Sequence, residues 1–136
     1  MSKVSLAIVC SRFNEEITSA MLKEAEAHAE KKGAEVAAVL EVPGAYEIPF
    51  AMNKLLPRPD IDAGVALGTV IKGETLHDEV IMMAVCKQLS DLSIRHGKPV
   101  GLGISGPGIT EEQAKARIKD YARRSVEAAI EMAKLE

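Results

Sequence analysis

Aromatic residues are scarce in this 136-residue chain, which has two Phe, two Tyr and no Trp. Aromatic packing therefore contributes little to the core, and an aromatic residue in a polar loop is a candidate for ligand contact. Cysteines are scarce too, because only Cys10 and Cys86 are present, far apart and each in apolar sequence. We expect two buried, reduced thiols rather than a disulfide or a metal pair.

A basic face is also missing, since the net charge of −3 is spread over interleaved acids and bases. Nucleic-acid binding needs such a face opposite the phosphate backbone and is therefore not expected. No apolar run is long enough to span a bilayer, and the chain does not begin with a charged segment followed by an apolar one. We expect a cytoplasmic protein without membrane contact, and no residue spacing predicts a metal site.

Short apolar, β-branched runs alternate with segments of helical periodicity, and the 47% hydrophobic content suffices for one domain spanning residues 1–136. The predicted strands are residues 3–10, 35–42, 63–71 and 100–104. The predicted helices run from Glu15 towards Gly33, over residues 45–56 and 76–96, and from Thr110 nearly to the C-terminus with a break near residues 121–124. This alternation predicts an α/β three-layer sandwich, in which a four-stranded parallel sheet carries helices on both faces.

Ligands of an open parallel sheet bind beyond the carboxyl ends of its strands, so the loops SRFN, VPGAYE, TVIKGETLH and SGPG are candidates for a site. Phe13 in the first loop either packs on the following helix as a hydrophobic staple or stacks on a flat heteroaromatic ring, and we favour stacking. Glu47 in the second loop either favours a helix N-terminus or accepts hydrogen bonds from the hydroxyl groups of a polyol. The sequence leaves both interpretations of Glu47 open.

The third loop enters a helix at Glu74 and Thr75, where unpaired backbone N–H groups and the helix dipole favour an anion. Thr75 either adds a hydroxyl contact or only caps the helix, and the Glu74 side chain would repel a phosphate, so contact there would come from the backbone. His77 follows within one turn and fits a general acid or base at neutral pH. His28 and His96, on a helix face and in a last helical turn, are interpreted as structural.

Together these loops resemble those of lumazine synthase, the family that makes the lumazine precursor of riboflavin. The matching segments are RFN at residues 12–14, VPGAYEIP at 42–49, LGTVIKGETLHDE at 67–79 and GISGPGITEEQAKAR at 103–117. The resemblance implies a flavodoxin-like fold and a transferase that condenses 5-amino-6-(D-ribitylamino)uracil with 3,4-dihydroxy-2-butanone 4-phosphate. The implied products are 6,7-dimethyl-8-ribityllumazine, phosphate and water, and no cofactor or metal is implied.

The resemblance also implies roles for single residues. Phe13 matches the aromatic residue that stacks on the pyrimidine, and His77 matches the histidine that transfers protons beside the phosphate. Arg117, which the sequence alone would interpret as a solvated helix residue, matches the phosphate-binding arginine. The other implied substrate contacts are Ala45, Tyr46 and Glu47 to the ribityl chain, the backbone of Thr69, Val70 and Ile71 to the pyrimidine edge, and Glu74 and Thr75 to the phosphate.

Members of the family are pentamers, some of them assembled into icosahedral shells of sixty subunits, with each site at a subunit boundary. The resemblance therefore implies a homopentamer at least. Leu102 departs from the family pattern, because many members have there a Phe that closes the pocket of an adjacent subunit. That wall should then be apolar but without a ring. Residues 119–125 form a shorter segment than in many members, so no role is assigned to them.

Three other functions fit parts of the sequence. Archaeal riboflavin synthase resembles this family in fold, but the RFN and GETLH motifs are intact here. A phospho-receiver module would need an acceptor Asp at the end of the third strand, whereas Asp60 and Asp62 precede that strand. A lumazine- or flavin-binding shell protein without catalysis would have the same pocket, and an activity assay separates it from an enzyme.

Overall fold

The computed structural model describes residues 3–73 and 75–135. Its elements are, in chain order, β1 (Ser5–Ser11), α1 (Glu15–Lys31), β2 (Glu35–Val42), α2 (Ile48–Leu55), β3 (Ala63–Ile71), α3 (His77–His96), β4 (Val100–Ile109), α4 (Glu111–Ala116) and α5 (Ile118–Ala133). A short 3₁₀ turn, Ala45–Glu47, precedes α2. The strands are all parallel, in the order β2-β1-β3-β4, which confirms the predicted four-stranded parallel sheet.

Helices cover both faces of the sheet and enclose two large apolar clusters, and a third, smaller cluster contains Ile17, Met21, Ile109 and Ala114. Leu6 and Ile8 of β1 pack with α1 and α5 on one face, while Ala7 and Val9 pack with α2 and α3 on the other. All seven residues of β1 are buried, as expected for a central strand of a parallel sheet. Full burial of a Leu, Ile or Val side chain, as for Leu6, Ile8 and Val9, contributes roughly 1.5–3 kcal/mol relative to full exposure. The strands, packed between two layers of helices, thus form a rigid support for the loops at the carboxyl edge of the sheet.

Most helix boundaries follow the sequence signals. Helix α1 begins at Glu15 with two acids in its first turn, and Gly33 follows its end with φ 79°. Pro49 lies in the first turn of α2, where its missing N–H is not needed. Helix α3 ends at His96, and Gly97 adopts φ 64° just beyond it. These predictions are confirmed.

The prediction for the fourth strand was wrong at its end. We predicted that β4 ends near Ile104 and that SGPG is a loop, but β4 continues to Ile109. Thr69 pairs with Ser105 and Ile71 pairs with Ile109, so two steps along β3 span four along β4. The bulge is accommodated by positive φ angles at both glycines of the SGPG segment. Glycine and proline, usually marks of a loop, here extend the strand.

The predicted helix break near residues 121–124 was also misplaced. The break lies at Arg117, between α4 and α5. Helix α5 passes through residues 121–124 without interruption because Ala122, Val126 and Ala129 form one buried stripe on it. The capping box of Thr110 and Gln113 at the start of α4 is confirmed.

Cys10 and Cys86 are both free, which confirms the predicted thiols. Cys10 is buried as expected, whereas Cys86 is only half-buried. No helix within residues 3–73 and 75–135 has the length and hydropathy required to cross a membrane.

Candidate active site

A cavity of about 540 Å³ opens at the carboxyl edge of the sheet, where the loops after β1, β2 and β3 meet. This volume lies within the usual range for a small-molecule site. Its lining residues are Phe13, Asn14, Gly44, Ala45, Tyr46, Glu47, Thr69, Val70, Ile71, Gly73, His77, Asp78, Ile81 and Glu111. Eight of them were predicted from the sequence as site residues, so residues distant in the chain converge as the resemblance implies.

Phe13 stands at the mouth of the cavity with 71% of its surface exposed. Its backbone is fixed, because the N–H groups of Arg12 and Phe13 donate to the carbonyls of Val42 and Pro43, at 2.7 and 3.0 Å. A staple on the following helix would be buried, so the exposed ring is better suited to stack on a flat ligand. The first two loops therefore present an aromatic face on a rigid backbone.

Glu47 has the helix-terminus role that the sequence left open, and it also lines the cavity. Its Oε1 accepts a hydrogen bond of 2.9 Å from the N–H of Gly44, across the 3₁₀ turn. Tyr46 beside it is exposed, and Ala45 is buried under the turn. The carboxylate is thereby held at the cavity wall, where its acceptor oxygens can receive hydroxyl groups.

The floor of the cavity is formed by the end of β3. Thr69 and Val70 are buried, and the hydroxyl of Ser105 donates to that of Thr69 at 2.8 Å. Gly106 of β4 approaches so closely that a side chain there would collide with the carbonyl oxygen of Val70. Packing from β4 thus fixes the edge that is predicted to contact the pyrimidine.

His77 is the first residue of α3, and its exposed side chain lines the cavity. Its backbone N–H donates to the hydroxyl of Thr75 at 3.3 Å, although the residue at the N-cap position of α3 is Leu76. Glu74, predicted to lie in the phosphate loop, is outside the described residues. The rings of His28 and His96 bond instead to Glu127 at 2.6 Å and to Asn53 at 2.8 Å, which fits their structural interpretation.

Asp78 is a residue of the site that the sequence argument passed over. It is 4% exposed, and its Oδ2 accepts a hydrogen bond of 2.8 Å from the N–H of Gly108 at the end of β4. The sequence does contain a signal for it, because helical spacing aligns Asp78 with the buried Met82, Val85 and Leu89. An acid in line with the apolar stripe of a helix indicates a buried carboxylate with a specific partner.

Three predicted site residues do not line the cavity of a single chain. Thr75 lies two residues before His77 and bonds to its backbone N–H, and Arg117 is exposed between α4 and α5. Leu102, 47% exposed, faces a separate groove of about 350 Å³ together with Met83, Cys86 and Tyr121. That Leu102 and Arg117 complete the site of a neighbouring subunit stays a prediction.

Comparison with known proteins assigns the family. A model of the 6,7-dimethyl-8-ribityllumazine synthase family matches residues 3–136. A relative of that name from Metallosphaera sedula is 54% identical, over 98% of this chain and 88% of its own length. Relatives of the same name from Methanopyrus kandleri and Methanocaldococcus jannaschii are 49% and 48% identical, over 97% and 96% of this chain and 93% and 92% of theirs. The chain therefore belongs to the 6,7-dimethyl-8-ribityllumazine synthase family.

Proposed function

We propose that this chain catalyses the last condensation before riboflavin, joining 5-amino-6-(D-ribitylamino)uracil to 3,4-dihydroxy-2-butanone 4-phosphate. The products are 6,7-dimethyl-8-ribityllumazine, phosphate and water. The observation that carries the proposal is the cavity in which Phe13, Glu47, Thr69 and His77 converge in a member of this family. Residues 1–136 act as one domain in this proposal.

The chemistry needs orientation and proton transfer. The amine of the uracil attacks the butanone carbonyl and water leaves as the imine forms; a proton is then removed, phosphate is eliminated, and ring closure releases a second water. His77 exchanges the protons, each transfer contributing typically about 10²–10⁴-fold. Holding the two substrates in register supplies the effective concentration.

The remaining residues hold the substrates in this proposal. Phe13 stacks on the pyrimidine, a contact worth about 0.5–1.5 kcal/mol beyond burial. The 3₁₀ turn Ala45–Glu47 receives the ribityl chain, and the backbone of residues 69–71 contacts the pyrimidine edge. Glu74 contributes through its backbone and Thr75 through its hydroxyl to the phosphate subsite, which Arg117 completes.

The enzyme is a homopentamer in this proposal, and Leu102 and Arg117 enter the site of the neighbouring subunit. Support comes from apolar side chains on α3 and β4 that a single chain leaves exposed: Met83 by 74%, Val80 by 63%, Ile94 by 79% and Leu102 by 47%. Such a group of exposed apolar residues marks an association surface. Sedimentation of the purified protein distinguishes a pentamer from an icosahedral shell and from a monomer, and a monomer would contradict the proposal.

The reaction takes place in the cytoplasm in this proposal, because a charged phosphate ester such as the butanone substrate does not cross a bilayer unaided.

The receiver alternative loses support from the positions of its candidate acids. Asp62 accepts the N–H of Ser5 at 2.8 Å and Asp60 binds Arg58 at 2.7 Å, both at the opposite edge of the sheet. Neither acid lies at the cavity.

The decisive experiment is incubation of the purified protein with both substrates. Lumazine is followed by absorbance and fluorescence, and phosphate release is followed in parallel. We expect equimolar formation of both products. Binding of the pyrimidine with formation of neither product would contradict catalysis and favour a shell protein that only binds the ligand.

A further inference from the structure

The chain on both sides of the connection between β3 and α3 is hydrogen-bonded to the end of β4. At one end, the N–H of Lys72 donates to the carbonyl of Ile109 at 2.8 Å. At the other, the carboxylate of Asp78 accepts the N–H of Gly108 at 2.8 Å. Two consecutive residues of β4 therefore fix the separation of the connection's two ends.

The bond accepted by Asp78 is the stronger of the two. A hydrogen bond from a backbone amide to a carboxylate is charge-assisted and roughly twice as strong as a neutral one. The Asp78 side chain is buried, so water cannot easily replace Gly108 as its partner. Two other hydrogen bonds at this helix end, among the residues that the structure describes, are longer: the bond from His77 to Thr75 at 3.3 Å and the bond from the Val80 N–H to the Leu76 carbonyl at 3.1 Å.

The helix on one side of this bond begins with the residue to which the proposed reaction assigns proton transfer. His77 precedes Asp78 in the first turn of α3. On the other side, Gly108 leads through Ile109 into the capping box of Thr110 and so into α4. The carboxylate thus joins the helix end that bears the proton-transferring group to the strand end from which α4 begins.

We propose that Asp78 is a positioning residue, whose carboxylate holds His77 and the first turn of α3 in their catalytic arrangement by accepting the N–H of Gly108. The inference rests on the proposed function, and it assigns to Asp78 no contact with the reacting atoms. Without the bond, the first turn of α3 moves relative to the end of β4. A displacement of about 1 Å at this distance from the chemistry can lower turnover about 10²-fold.

Three variants separate this role from a purely structural one. Asp78→Ala removes the acceptor, whereas Asp78→Asn keeps an acceptor oxygen of nearly the same shape. Glu79→Ala is the matched control, because it removes an acid from the same helical turn but an exposed one. We expect kcat to fall about 10- to 100-fold in Asp78→Ala, to recover largely in Asp78→Asn, and to be unchanged in Glu79→Ala.

Hydrogen exchange of the Gly108 amide measures the bond itself, without reference to activity. We expect protection in the wild type and in Asp78→Asn, and its loss in Asp78→Ala while the amides of β1 remain protected. Fast exchange at Gly108 in the wild type would overturn the inference. A kcat within about twofold of the wild type in a folded Asp78→Ala would overturn it too.

Failure of the proposed function gives a different result. A wild-type protein that forms no lumazine rejects the function and, with it, any catalytic role of Asp78, even where Gly108 is protected. An active wild type combined with an active Asp78→Ala rejects the positioning role alone. Equal impairment of Asp78→Asn and Asp78→Ala would show that the charge matters rather than the bond to Gly108, and would also overturn the inference.

Discussion

The three histidines of the chain differ in what their rings contact. His28 and His96 bond to side chains on neighbouring helices, whereas His77 faces the cavity beside the loop predicted to bind phosphate. The sequence predicted this difference in position, because only His77 follows a strand end at the start of a helix. A ring that faces a cavity at such a position is available to exchange protons with a ligand.

We therefore expect His77→Ala to lower kcat by about 10²–10⁴-fold, because each assisted proton transfer loses its donor or acceptor. Assembly should be unaffected, since the side chain is exposed in the cavity. Steady-state kinetics and sedimentation check both expectations. His96→Ala is the control, with turnover close to the wild type, and turnover of His77→Ala close to the wild type would contradict the role of His77.

The buried thiol of Cys10 leads to a prediction about stability at alkaline pH. Burial raises the pKa of its thiol from 9.0 to about 12, and Glu41 and Glu26 add charge repulsion. Above pH 9 the folded state therefore binds more protons than the unfolded state. The contribution of this thiol to stability is complete below about pH 9 and is lost as pH rises towards about 12.

Denaturant titrations at several alkaline pH values test this. The free energy of unfolding of the wild type should fall with pH more steeply than that of Cys10→Ala, by up to about 1.4 kcal/mol per pH unit. The difference between the two proteins removes the contribution of the other titrating groups. Parallel pH dependences would show that the Cys10 thiol ionises as readily in the folded chain as in the unfolded one.

Among the elements, the sequence predicted β2, β3 and the start of α1 more accurately than the end of β4 and the boundary between the last two helices. Strands β2 and β3 and the start of α1 lie where hydrophobic runs and helix signals predicted them. The extension of β4 and the break at Arg117 were missed, because both depend on contacts between elements distant in the chain. A Gly-Pro-Gly segment indicates a loop locally, and only the pairing of Ile109 with Ile71 makes it part of the strand.

For the cavity too, the sequence predicted positions that follow from topology and missed a contact between residues distant in the chain. Eight predicted residues line the cavity because strand ends of a parallel sheet share one edge, which is a consequence of topology. Asp78 was missed because its partner, Gly108, lies 30 residues further along the chain. The roles predicted for Leu102 and Arg117 require a neighbouring subunit and stay predictions.

The bulge in β4 leads to a prediction about its two glycines. Gly106 has φ 119° and lies against the carbonyl of Val70, whereas Gly108 has φ 73° and open space around its Cα. We expect Gly106→Ala to destabilise the fold by more than about 3 kcal/mol, because the collision with Val70 adds to a backbone strain of about 1–3 kcal/mol. Gly108→Ala, the matched control, should cost only about 1–2 kcal/mol. Equal midpoints of denaturation for the two variants would contradict the close approach at Gly106.

At the scale of the whole molecule, a single chain contains only part of the proposed site. His77 lines the cavity, but Arg117 and Leu102 lie away from it. In the proposed pentamer, the arginine for each site comes from the neighbour.

Arg117→Ala alone should therefore raise KM for the phosphate substrate, with little effect on KM for the pyrimidine, because a charge-assisted contact to the phosphate is lost. Arg123→Ala, which removes an arginine bonded to Glu24, is its control.

Mixing subunits of two impaired variants distinguishes a shared site from a site within one chain. In a pentamer assembled from His77→Ala and Arg117→Ala chains, some subunit boundaries combine an intact His77 with an intact Arg117. Turnover under low phosphate-substrate concentration should then exceed that of either pure variant and vary with the mixing ratio. If both residues served one site within the same chain, every site would carry one defect. The mixed assembly would then be no more active than the average of its components, and the shared boundary would be refuted.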